Sequence, residues 1–70
     1  MTIGEGIKKA RKEKGLTQAQ LAAEAGVLTI SISFYETGRT FPSVLNLISI
    51  ADALGVTLDD LVGRTVKNDE

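Results

Sequence analysis

The chain has 70 residues, 43% of them hydrophobic, which suffices for one small packed domain and is too little for two. Eight Lys and Arg stand against nine Asp and Glu, a net charge of −1, so bulk charge draws no polyanion and any anion site must be local. With no Cys and no His, disulfide scaffolds, thiol chemistry, cysteine zinc sites and the usual neutral-pH acid–base group are all excluded. No base is placed to activate a Ser or Thr either, so the expectation is a chain that is not an enzyme and needs no metal or cofactor.

No apolar run approaches membrane length, and none follows a basic start as export requires, which predicts a soluble, cytoplasmic chain without a membrane partner. A core this small, with neither disulfide nor metal, is often completed by a second copy. Charge is uneven along the chain. Residues 1–40 carry six basic and four acidic groups, and residues 41–70 carry two basic and five acidic ones, so an anionic partner would meet the first half.

In chain order, Ile3, Ile7 and Ala10 repeat with the 3.6-residue period of a half-buried helix, and Gly15 suits its end. Arg11 extends that stripe by one turn and therefore faces the interior, where an unpaired charge is expensive. Thr17-Gln18-Ala19-Gln20 has the spacing of a capping box and opens a second helix reaching about Ala25. Residues 28–36 are ambiguous, because Ile30, Ile32 and Phe34 alternate with Thr29, Ser31 and Ser33, a pattern that locally favours a strand. Gly38 ends this segment, and Arg39-Thr40-Phe41-Pro42 reads as a loop with Ser43 placed to cap the next helix. Val44, Leu47, Ile48, Ala51 and Leu54 then mark the clearest helix, stopped by Gly55. Thr57-x-x-Asp60 opens a last short helix, with Leu58, Leu61 and Val62 expected inward. Residues 1–62 form the expected domain, and residues 63–70 a polar, frayed tail.

The informative stretch is Gln18 to Tyr35. Two helices crossing steeply through a short turn nearly touch, so a small residue, Ala22, suits the contact, and Gly26 supplies the left-handed turn. Leu21, Ala25, Val27, Ile32 and Tyr35 then fill the wedge between the two helices. This tertiary requirement overrides the strand-like alternation and assigns residues 28–36 to a helix.

With Ile7 to Gln18, Leu21-Ala22-x-x-Ala25-Gly26-Val27, Ile32-Ser33-x-x-Glu36-x-Gly38-Arg39, Pro42-Ser43 and Ile50-Ala51-x-Ala53-Leu54-Gly55-Val56 in this order, the chain resembles the Xre, or Cro/lambda-repressor-like, helix-turn-helix family from about Ile3 to Val62. The resemblance implies an all-α fold, a compact bundle of five helices, and a homodimer that binds double-stranded DNA with the third helix in the major groove. It places Gln18 at a DNA phosphate, with Gly38, Arg39 and Thr40 along the sugar–phosphate backbone. It also pairs Arg11 with Glu36 in an ion pair of structural purpose. Thr29, Ile30, Ser33 and Phe34 fall at the base-reading positions.

Here the chain departs from its relatives, which usually place Arg, Gln, Asn or Ser there. Ile30 and Phe34 suit thymine methyls, and Thr29 or Ser33 can add a hydrogen bond, so the expected half-site is rich in A·T pairs. Leu28 stands where the family normally has a capping Ser or Thr. The expected function is a sequence-specific transcriptional regulator that reads a pseudo-palindromic operator and has no evident small-molecule ligand. The alternative is a protein-interaction module that keeps the fold and uses its apolar third helix, with Leu28, Ile30 and Phe34, to contact another chain.

Overall fold

The computed structural model describes residues 2–62, which form five helices and, among the described residues, no strand. These are α1 (Ile3–Lys14), α2 (Gln18–Ala25), α3 (Thr29–Thr37), α4 (Val44–Leu54) and α5 (Leu58–Val62). The expected polar tail, 63–70, lies outside the described residues. The ambiguous segment is helical, as packing against α2 requires.

Local chemistry sets nearly every boundary. Thr2, Thr17 and Thr57 each accept a hydrogen bond from the amide three residues on, while Glu5, Gln20 and Asp60 each accept one from the Thr amide in return. These are three capping boxes, and each satisfies donors the helix start would otherwise leave free. Ser43 caps α4 through the Asn46 amide. At α3, Leu28 offers no side-chain cap. Helices α1 to α4 all stop at a glycine in the left-handed conformation, and the amide after that glycine folds back onto a carbonyl of the last turn.

Each helix contributes one fully buried large side chain to a single core: Ile7, Leu21, Ile32, Ile50 and Leu61. Burial of each is worth roughly 1.5–3 kcal/mol, so losing any one of them would remove a large fraction of the whole molecule's margin of stability. Ala22, Tyr35, Ala51 and Leu54 complete the core, with Ala25 and Val27 packed at its edge. Helix α1 lies against α3, α4 and α5, while α2 lies against α3 and α4. Gly4 and Gly6 bring α1 close to α3 and α5. A Cβ on Gly4 would strike the Tyr35 carbonyl, and one on Gly6 would strike the Leu61 carbonyl, so backbone meets backbone at both places.

One sequence expectation, Leu58 facing inward, needs correction, and the apolar period that marks α4 does not all face the core. Val44 and Ile48 do not face the core; they are 71% and 40% exposed, and the inward stripe of α4 is Leu47, Ile50, Ala51 and Leu54. Helix α4 is apolar on most of its circumference, so two stripes share the same period and periodicity cannot choose between them. Leu58 is likewise 41% exposed, because α5 presents its single inward turn through Leu61.

Candidate nucleic-acid interface

Helix α3 is seated by three residues. Ile32 and Tyr35 are buried, and the Tyr35 hydroxyl accepts a hydrogen bond from Asn46 Nδ2 at 3.3 Å, tying α3 to α4. The third is Glu36, which anchors a buried polar cluster. Arg11 donates to it twice, Nε to Oε2 at 2.6 Å and Nη2 to Oε1 at 3.0 Å, and gives Nη1 to the Leu16 carbonyl at 2.8 Å. The Arg11 and Glu36 side chains are only 10% and 3% exposed. Hydrogen bonding to Glu36 raises the Arg11 pKa above its ordinary value against the opposing effect of burial.

Glu36 Oε1 also accepts from Gln18 Nε2 at 3.0 Å. One carboxylate thus joins the end of α1, the start of α2 and the end of α3. Gln18 is the residue expected at a phosphate, and its amide nitrogen already has one protein partner. An amide NH2 carries two hydrogens, so one side-chain donor remains, beside the backbone amides of Gln18 and Ala19 in the first turn of α2.

Along the outer edge of α3, Thr29 and Ile30 are exposed and Ser33 and Phe34 half-buried. The α3–α4 loop is folded onto the same helix. The amides of Arg39 and Thr40 both donate to the Phe34 carbonyl, at 2.9 and 3.4 Å, and Gly38 supports the reversal with φ 80°. The Arg39 guanidinium carbon lies 4.9 Å from the centre of the Phe34 ring. The structure therefore brings the start of α2, the outer edge of α3 and the loop into one assembly, linked by Gln18–Glu36 and Phe34–Arg39. Sequence reading missed the Phe34–Arg39 contact, the Asn46–Tyr35 bond and the Thr2 capping box. The last was legible as Thr2-x-x-Glu5, and the first follows from the spacing of Phe34 to Gly38-Arg39 in a glycine-ended helix.

The helix-turn-helix family model HTH_3 matches residues 7–61. The chain belongs to the Cro/C1-type helix-turn-helix family. It is 44% identical over 64 residues to the cryptic phage CTXphi transcriptional repressor RstR of Vibrio cholerae serotype O1, covering 91% of this chain and 57% of that protein. It is 41% identical over 64 residues to the immunity repressor protein of Bacillus phage phi105, covering 91% of this chain and 44% of that one. The chain thus spans about half the length of these relatives. Among solved structures, it is similar to the P22 c2 repressor in complex with synthetic operator 9T, with TM-score 0.83, 34% identity, and coverage of 89% of this chain and 94% of that one. The biofilm master regulator SinR in complex with DNA gives TM-score 0.81 at 36% identity, covering 86% and 97% of the two chains. These likenesses agree with the fold expected from the sequence: five helices of the lambda-repressor type.

Proposed function

We propose that the chain binds double-stranded DNA and regulates transcription by occupying an operator, without chemistry of its own. One observation carries this reading: the exposed edge of α3 is flanked by the amide-bearing start of α2 and by Arg39, both tied to α3 by side-chain contacts. Similarity to a repressor solved with its operator supports the same conclusion. In this reading Gln18, Gly38, Arg39 and Thr40 meet phosphates, which fix register, and Thr29, Ile30 and Ser33 approach base edges, with Phe34 beside them. Ile30 favours thymine methyls over the acceptors of guanine, so half-sites are rich in A·T pairs. Residues 1–62 act as the binding domain in the cytoplasm.

A homodimer completes the proposal, reading two half-sites roughly 34 Å apart, one turn of the duplex. The apolar segment Val56 to Val62 would supply the dimer surface, and Leu58 is its large apolar residue left exposed. Val44, Leu45 and Ile48 on α4 supply further exposed apolar surface.

A salt-titrated shift assay on random and A·T-rich duplexes, with sizing of the free protein, tests this function. Affinity falling steeply with salt, and exceeding random DNA on a palindromic A·T-rich site, is the expected result. Binding indifferent to salt, or none at low salt, overturns it.

A further inference from the structure

We propose that Phe34 is a positioning residue: its ring holds the Arg39 guanidinium ready for a DNA phosphate, and it does not itself read a base. This rests on the DNA-binding reading and reassigns Phe34 within it. Three observations carry the inference.

The first is charge. From Gly15 to Val62 the sequence contains one basic residue, Arg39, against five acidic ones, so helices α2 to α5 and their loops bring a single cation to the interface. The placement of that cation therefore matters more than where several share the task.

The second is the cap. At the ends of α1, α2 and α4 the residue after the terminal glycine is aliphatic, Leu16, Val27 and Val56, and each packs on the core. At the end of α3 the same position is Arg39, which is exposed and lies over Phe34. The cap geometry that elsewhere turns an apolar side chain inward here lays a cation on an aromatic face. Both Arg39 and Thr40 amides close on the Phe34 carbonyl, so backbone and side chain of the loop are registered to one residue.

The third is what remains free. A guanidinium held over a ring by its charge spends no N–H on a hydrogen-bond acceptor and so has donors left for another partner. Among the described residues Arg39 has no ion pair and its side chain makes no hydrogen bond, so those donors are available to an anion. The ring face that meets Arg39 is correspondingly closed to a thymine methyl. Ordering one long side chain before binding is worth about two- to tenfold in affinity.

The test is a double-mutant cycle on DNA affinity with Phe34→Leu, Arg39→Gln and their combination, each first checked for a cooperative melt; Phe34→Met replaces Phe34→Leu should the latter not fold. Duplexes are compared with thymine and with deoxyuridine, which lacks the methyl. Phe34→Leu should weaken binding about two- to tenfold, equally on both duplexes, and should add no loss in the Arg39→Gln background. Arg39→Gln should reduce the salt slope by about 0.9, one phosphate contact, and Phe34→Trp should restore wild-type affinity. Equal losses in both backgrounds, or a loss that disappears on deoxyuridine, overturn the proposal in favour of methyl reading.

A readout without DNA separates the two levels: Arg39 side-chain protons should be shifted upfield by the ring current in the wild type and not in Phe34→Leu. Absence of that shift sinks the clamp. A wild type that binds no duplex at low salt overturns the DNA-binding reading, and this role with it, even where the ring-current shift is present.

Discussion

Reversing the charge at Glu36 tests whether the Arg11–Glu36 pair holds the bundle together. Glu36→Lys removes both acceptors of the Arg11 fork, at 2.6 and 3.0 Å, and the acceptor of Gln18, and leaves two cations in a space where the native side chains are 10% and 3% exposed. Removing one partner of a buried pair typically costs about 3–5 kcal/mol. At roughly 0.05–0.15 kcal/mol per residue, a chain of this size has about 3–10 kcal/mol in total. Glu36→Lys should therefore lower the melting temperature by at least about 12 °C, or abolish the cooperative transition, when followed by far-UV circular dichroism. Arg11→Met/Glu36→Met should recover most of the loss, since a well-packed apolar pair replaces a buried ion pair at little or no cost. A Glu36→Lys protein melting within about 2 °C of the wild type would refute the argument, because the carboxylate would then add nothing beyond its solvation.

Gly6→Ala gains helix propensity but sets a methyl on the Leu61 carbonyl, so α5 must move away; melting should fall by about 4–8 °C per kcal/mol of a loss near 1–3 kcal/mol, and a rise would show that α1 and α5 are not in backbone contact. Leu28→Ser supplies the side-chain cap that α3 lacks and should raise stability by about 0.5–2 kcal/mol in urea unfolding; no gain would mean that the α3 amides are already satisfied. Backbone hydrogen bonds from Thr2 and Thr57 hold the Glu5 and Asp60 pKa values below their ordinary 4.5 and 3.8. The charged forms favour the folded state, so this stabilisation is full above those ordinary values and is lost as pH falls through the lowered folded ones. The urea midpoint should drop between pH 7 and about pH 3, less so in Glu5→Gln/Asp60→Asn, and equal drops in both proteins would contradict the assignment.

How much the sequence disclosed depends on what fixes each residue. Capping boxes and terminal glycines are local chemistry, so Thr17, Gly15, Gly26, Ser43, Gly38 and Gly55 mark the helix ends where the structure has them. The buried set on α1 was also legible, because polar residues there leave one apolar stripe, and that on α2 and α3 followed from the close packing a short glycine turn demands. Helix α4 was not, since Val44, Leu45 and Ile48 form a second stripe that no packing partner within the described residues covers. Close backbone contacts at Gly4 and Gly6 were hidden for a different reason: a glycine inside a helix signals that something is near without saying what. At the candidate interface, resemblance assigned the positions, but the engagement of Gln18 with Glu36 depends on a tertiary distance that spacing does not encode, whereas that of Arg39 with Phe34 is local to the glycine-ended cap.

The strand-like alternation of α3 shows how two kinds of constraint overlap in one short helix. Of Ile30, Ile32 and Phe34, only Ile32 is fully buried; Ile30 is 53% exposed and Phe34 half-buried beneath a loop cation. Packing requires Ile32, Tyr35 and Glu36 alone, three residues on one side of the helix that suffice to seat it. The other apolar positions face outward, so the two-residue period comes from adding outward-facing residues to inward-facing ones rather than from a sheet. A helix so seated can change Thr29, Ile30 and Ser33 without losing its place in the bundle. On the proposed DNA-binding reading, selectivity for a duplex can therefore be altered at those positions independently of the core, which is how one fold can carry different specificities.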